Sequence, residues 1–171
     1  MSILRKTLIA SAALALPFSV SANSKLEKMM SDPNQWVQQS GNYAGERYTE
    51  LDQINKSNVG SLKVAWSFST GVLRGHEGSP LVIGDVMYVH TAIPNIVYAL
   101  DLNDDQKILW KYNPVKGGKY PGGETMDRVI SVMCCDNVNR GVNYHPNGTI
   151  VLHAADTSVI ALDAKTGKEK W

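Results

Sequence analysis

Both cysteines of this 171-residue chain stand side by side, in the run Val132-Met133-Cys134-Cys135-Asp136-Asn137-Val138-Asn139-Arg140-Gly141. Thiols can pair as a disulfide, capture soft metals or arsenic, or pack as small hydrophobic groups. A disulfide normally wants its Cα atoms about 4.4 to 6.8 Å apart, whereas neighbours across a trans peptide sit about 3.8 Å apart. A bridge between adjacent cysteines is therefore a strained eight-membered ring. Strain of that kind is kept where the surrounding structure enforces it, often at a ligand site. The compartment decides between these chemistries.

The first twenty-two residues indicate that compartment. Arg5 and Lys6 open the chain, Leu8 to Val20 is apolar but too short to span a bilayer comfortably, and Val20-Ser21-Ala22 supplies small residues for signal peptidase. The pattern predicts a signal peptide over 1–22, cleaved after Ala22, and a mature chain over 23–171 with no transmembrane segment. Such a chain is secreted or periplasmic, where oxidising conditions favour a disulfide over free thiols. With no third cysteine, the bridge is either Cys134 to Cys135 or intermolecular. The chain has 17 Lys and Arg against 16 Asp and Glu. The leader carries Arg5 and Lys6 and no acid, so the mature chain is close to neutral. That balance argues against nucleic acid or an anionic membrane as partner.

The elements that must position the cysteines are short strands. Ser24 to Ser31 reads as a short helix, because Leu26, Met29 and Met30 fall on one face, and Asp32-Pro33 ends it. Trp36, Tyr43 and Tyr48 lie in polar sequence and read as anchors on a larger body. Leu62, Val64, Trp66 and Phe68 alternate with Lys63, Ala65 and Ser67, which predicts a half-buried strand. A Gly-rich loop from Ser69 to Pro80 follows. Leu81 to Ile83, a Gly84-Asp85 turn and Val86 to His90 read as a hairpin. Ile96 to Leu100 and Lys107 to Lys111 read as two more strands. Asn113 to Arg128 reads as a long surface loop. After the cysteines, Gly141 to Tyr144, Thr149 to Ala154, Ser158 to Leu162 and Lys168 to Trp171 repeat the four-strand rhythm.

The two halves are copies of one unit. Val86-Met87-Tyr88-Val89-His90 matches Thr149-Ile150-Val151-Leu152-His153, Tyr98-Ala99-Leu100-Asp101 matches Ile160-Ala161-Leu162-Asp163, and the units end on Trp110 and Trp171. A repeat of about sixty residues in four short strands is the pattern of a β-propeller blade. The fold expected is all-β, an N-terminal segment and about two blades. Blades bury their faces against neighbours and propellers have roughly four to eight of them, so a truncated protein is expected.

The blade ending Ala161-Leu162-Asp163-Ala164-Lys165-Thr166-Gly167-Lys168-Glu169-Lys170-Trp171, the loop Gly75-His76-Glu77-Gly78, and the cysteine pair followed by Asn139-Arg140-Gly141 together resemble one family. They are similar to the large subunits of quinoprotein methanol and alcohol dehydrogenases, particularly the lanthanide-using branch, over the whole mature chain. That resemblance implies an eight-bladed propeller of the tryptophan-docking type, with pyrroloquinoline quinone (PQQ) on its axis. It implies a Cys134–Cys135 disulfide stacked on the quinone, and polar contacts to the cofactor from Glu77 and Arg140. An arginine suits a tricarboxylate because a guanidinium pairs with a carboxylate as a planar fork. The implied reaction is oxidation of a primary alcohol to an aldehyde, with electrons passed to a soluble cytochrome c. The implied full-length protein is a homo-oligomer using a calcium or lanthanide ion. Its catalytic base and metal ligands correspond to later blades, so no catalytic or metal-ligating residue is assigned in this chain, and the fragment is expected to be inactive alone.

Other residues carry less. His76 has no neighbouring ligand and reads as a hydrogen-bonded structural residue. His90 and His153 occupy equivalent repeat positions and read as blade architecture. Asp101 to Asp105 lacks the glycine and terminal glutamate of a calcium loop. Trp66, Trp110 and Trp171 read as packing between blades. The alternative function is a non-enzymatic periplasmic propeller that binds protein partners, which would have no use for adjacent cysteines or for Glu77 with Arg140.

Overall fold

In the computed structural model the described residues are 23–134 and 137–171. The expected leader over 1–22, Cys135 and Asp136 lie outside them. Helix α1 (Ser24–Met30) is capped by Asn23, whose side chain accepts from the Leu26 amide. A single 3-10 turn (Val59–Ser61) follows. The rest is organised by two antiparallel sheets. The first runs in the order β1 (Leu81–Ile83), β2 (Val86–His90), β3 (Val97–Asp101), β4 (Ile108–Tyr112). The second runs β5 (Val142–His145), β6 (Thr149–His153), β7 (Val159–Asp163). Register confirms the repeat: His90 pairs with Val97 as His153 pairs with Val159, and Val86 with Asp101 as Thr149 with Asp163.

The sheets share one core. Leu81, Tyr88, Val97, Ala99, Trp110 and Tyr112 of the first pack with Val142, Ile150, Leu152, Ile160 and Leu162 of the second. Alternation along β3 sends Val97 and Ala99 to this core, and Tyr98 and Leu100 to a smaller cluster on the opposite face, partly covered by Phe68 and Val72. Trp110 is the bolt between the sheets. Its indole Nε1 donates to the Ala164 carbonyl at 2.9 Å, and Tyr88 Oη donates to the same oxygen at 3.1 Å. A Cβ at Gly167 would press into the Trp110 ring, and Gly167 has φ +67°, so two independent constraints keep that position glycine. Glu169 adds a polar clasp, accepting from Tyr112 Oη at 2.8 Å and Lys116 Nζ at 3.1 Å. The Tyr112 hydrogen bond, then Lys116, holds its carboxyl below the usual range.

Four expectations need correction. Residues 62–68 form no strand: Leu62, Val64 and Trp66 are exposed, and only Phe68 packs, edge-on against Tyr98 at 5.2 Å between centroids. Their alternation suits a strand, but no ladder partner stands beside them among the described residues. The expected loop over 113–128 leads into helix α2 (Met126–Val132), capped by Thr125. Met126, Val129, Ile130 and Met133 are spaced i, i+3, i+4 and i+7 and all pack on the shared core, which is why a helix forms there. Residues 168–171 make a single bridge, Leu162 to Glu169, plus hydrogen bonds of Lys170 and Trp171 to Ala161, rather than a full strand. Among the aromatic anchors, Trp110 packs between the sheets, and Trp36 bridges to Val82 at the β1 edge. Tyr43, Tyr48, Trp66 and Trp171 are all exposed here.

Trp110→Ala should lower unfolding free energy by about 3 to 5 kcal/mol, as for other buried aromatic truncations. Trp110→Phe should cost less, because it keeps most of the ring and loses the bond to Ala164. Denaturant unfolding followed by far-UV circular dichroism measures both.

Candidate functional site

The β-sheets bring the loop 76–78 and the segment 137–141 to one rim. Glycine makes the approach possible: a Cβ at Gly78 would collide with the His90 ring and lie 3.0 Å from the Arg140 carbonyl oxygen. The Gly78 backbone is thus held between a side chain at the end of β2 and the backbone that leads into β5. Its neighbour Glu77 meets Arg140 across this contact, with Oε2 3.3 Å from Nη2.

Asn139 fixes the second segment. Its Nδ2 donates to the His153 carbonyl at 2.9 Å, its Oδ1 accepts from the Gly141 amide at 2.9 Å, and its own carbonyl accepts from His90 Nε2 at 3.0 Å. Gly141, at φ +136°, takes a conformation that favours glycine, and Gln39 lies over it while donating to the Val142 carbonyl at 3.1 Å. Asn95, buried at the end of the β2–β3 connection, accepts from the Ala155 amide at 2.8 Å. The Ile93 amide donates to the Asn137 carbonyl at 3.2 Å.

The result is a cleft of about 480 Å³ whose lining includes Glu77, Arg140, Arg47, His76, Trp36 and Gln39. The Arg140 guanidinium and the Glu77 carboxylate meet at it, and Arg47 is part of its lining. Among the residues expected to bind a ligand, the structure brings Glu77 and Arg140 together. Cys134 is exposed just beyond the end of α2 and is not part of the cleft lining, while Cys135 lies outside the described residues. His76 is hydrogen-bonded, its ring nitrogens meeting Thr70 Oγ1 at 3.1 Å and the Arg74 carbonyl at 2.7 Å. His90 is buried and His153 exposed, so equivalent repeat positions have different surroundings. Burial is the main reason the His90 imidazole titrates below the ordinary histidine value. Among the described residues no group of three or more His, Cys, Asp or Glu is placed to hold a metal ion. No helix among them is long and apolar enough to cross a membrane.

Arg47, Gln39, Asn139 and His90 were not assigned to the site from sequence. Only Asn139 had a local signal, its place in the Asn-Arg-Gly run. The other three reach the rim through tertiary packing.

Two sheets with a shared core and a polar rim define the start of a β-propeller of the quinoprotein class, and a family model described as "PQQ: Glucose/ethanol/alcohol dehydrogenase, beta-propeller domain" matches residues 36–171. The chain belongs to this family. It is 54% identical over 160 residues to the lanthanide-dependent methanol dehydrogenase of Methylorubrum extorquens, a match covering 94% of this chain and 25% of that protein. It is 44% identical over 155 residues to methanol dehydrogenase [cytochrome c] subunit 1 of Paracoccus denitrificans, covering 88% of the chain and 23% of the relative. Among solved structures, a europium-containing methanol dehydrogenase superposes with TM-score 0.79 at 53% identity, covering 87% of this chain and 24% of that one. The chain thus spans about a quarter of the length of these relatives.

The donor set in the cleft fits a planar polyanion. Arg140 carries a forked set of N–H donors suited to carboxylates, Arg47 in the lining has the same chemistry, and Glu77 can accept a hydrogen bond from a protonated ring or acid group. The Glu77–Arg140 pair is largely exposed, with side chains 49% and 75% accessible, a setting in which ion pairs contribute about 0 to 1 kcal/mol. Arg140→Ala should therefore change unfolding free energy by less than about 1 kcal/mol. Asn139→Ala, which removes two side-chain hydrogen bonds of about 0.5 to 1.5 kcal/mol each, to the His153 carbonyl and from the Gly141 amide, should cost about 1 to 3 kcal/mol. Urea unfolding of the two variants side by side tests the contrast.

Proposed function

We propose that this chain forms part of a periplasmic PQQ-dependent alcohol dehydrogenase that oxidises primary alcohols, methanol foremost, to aldehydes and passes the electrons to a soluble cytochrome c. The observation that carries the reading is the Glu77–Arg140 pair at 3.3 Å in an open cleft. Residues 63 positions apart in the chain converge there, on the side chains expected to meet the cofactor. Likeness to lanthanide-dependent methanol dehydrogenases supports the substrate and the metal, and likeness to a methanol dehydrogenase named for cytochrome c supports the electron acceptor.

In this reading Arg140 would hold a cofactor carboxylate and Glu77 would accept a hydrogen bond from a polar group of the cofactor. A Cys134–Cys135 disulfide, as the family likeness implies, would offer the cofactor a polarizable surface that does not compete for protons. PQQ, when bound, supplies the two-electron acceptor for the alcohol's oxidation. This chain's residues bind and orient it. The calcium or lanthanide ion and the catalytic base are supplied outside these residues, residues 1–22 export the protein, and the full-length protein is a homo-oligomer. The segment 23–171 alone accordingly gives no alcohol-dependent dye reduction with PQQ and metal.

The test is PQQ binding, followed by quenching of tryptophan fluorescence. Glu77→Ala with Arg140→Ala should weaken binding at least about tenfold, the loss expected for charge-assisted hydrogen bonds of about 1.5 to 3 kcal/mol. Cys134→Ser with Cys135→Ser should weaken it as well, and so should reduction of the wild type. Undiminished binding in the first double variant would remove the cleft from the cofactor site. Undiminished binding in the second would remove the sulfur platform.

A further inference from the structure

We infer that His90 is a positioning residue for the Glu77–Arg140 pair, holding the two segments that carry them through one hydrogen bond and one packing contact. The inference rests on the reading of the cleft as the quinone site. His90 is only 5% exposed at the end of β2. Its Nε2 faces a carbonyl, that of Asn139, which can only accept, so Nε2 carries the proton. That contact fixes the residue immediately before Arg140. The same Nε2–Cε1 edge of the ring lies against Gly78, the residue immediately after Glu77, so closely that no Cβ fits between them. One imidazole therefore touches both neighbours of the pair without touching the cleft itself.

A blade does not need a histidine at this position. The equivalent residue of the second sheet, His153, is exposed, and its carbonyl rather than its ring is used, accepting from Asn139. The His90 ring has also been fitted to its neutral form. Among the described residues, the buried Nδ1 has no hydrogen-bond partner. A second proton placed there would have no acceptor, and burial opposes the charge.

The titratable or charged groups brought to this corner are His76 and Glu77 on the loop and Arg140 on the facing segment, while β3 presents Val97 opposite the histidine. His76 adds a smaller effect in the same direction as burial. A histidine whose folded-state value is depressed binds its proton more readily when released. The neutral, holding arrangement thus contributes fully above the ordinary histidine value of about 6.5, and the contribution is lost as pH falls from there through the lower folded-state value.

The experiment measures PQQ affinity of the protein at pH 7.5 and 5.5, alongside thermal unfolding, for wild type, His90→Gln, His90→Ala and Gly78→Ala. His90→Gln keeps a donor at the Nε2 position but cannot titrate. It should bind within about threefold of wild type at pH 7.5 and lose less affinity on acidification. His90→Ala and Gly78→Ala should each weaken binding about tenfold at pH 7.5, the scale of one lost buried hydrogen bond. His90→Ala should cost little further when added to Arg140→Ala, because it acts through that residue. Where a His90 variant does not fold, Gly78→Ala decides, since it displaces the ring while leaving the histidine in place. Wild-type affinity in Gly78→Ala and in every folded His90 variant, with binding still dependent on Glu77 and Arg140, overturns this inference alone. Binding that ignores Glu77 and Arg140 overturns the quinone-site reading on which it stands.

Discussion

The structure depends on apolar burial between two small sheets. A four-stranded sheet has two faces and cannot bury both by itself, so the β1–β4 sheet places Leu81, Tyr88, Val97, Ala99 and Trp110 against Val142, Ile150, Leu152, Ile160 and Leu162 of its repeat. Burial alone would let the sheets slide. The Trp110 indole, wedged against Gly167 and bonded to the Ala164 carbonyl, and Glu169, clasped by Tyr112 and Lys116, fix the register of one sheet on the other. Both devices join β4 of the first unit to the turn and end of the second, so the lock is built into the repeat.

The polar rim follows from that lock. Once the sheets are registered, the ends of β2 and β6 and the lead-in to β5 lie together, and backbone groups in those connections need partners. Asn95 satisfies the Ala155 amide, Asn137 accepts from Ile93, and Asn139 reaches both to His153 and, through its carbonyl, to His90. The Asn95 and Asn139 side chains and the Asn137 and Asn139 carbonyls make these bonds where extended strands stop, and they connect chain segments 14 to 60 residues apart. Glu77 and Arg140 remain largely exposed, each anchored by a neighbour held in this network. Exposed charges on a fixed backbone retain their capacity for a charged ligand while contributing little to folding.

The blades were readable from the sequence because alternation, turn glycines and a sixty-residue repeat are local signals. All seven strand ranges fall within one or two residues of their expected places. The expected strand over 62–68 failed for a physical reason: alternating apolar residues specify a strand only when a neighbouring backbone pairs with it, and none of the described residues does. Helix α2 failed for a different reason. Its i, i+3, i+4, i+7 pattern of Met126, Val129, Ile130 and Met133 was present, but the glycines at 117, 118, 122 and 123 before it made the whole stretch read as loop. The likeness of His90 to His153 was genuine at the level of register and misleading at the level of environment.

By itself, the sequence determined the sheet repeat, the family, and the residue types able to meet a planar polyanion, since each is carried by neighbouring residues or by motif. Tertiary structure decided that Glu77 and Arg140 meet at one cleft, that Arg47 and Gln39 are part of its lining, and that His90 contacts the residues beside the pair. Those relations are between residues distant in the chain. They come into being only when the burial of two apolar faces forces the rims of two sheets into contact.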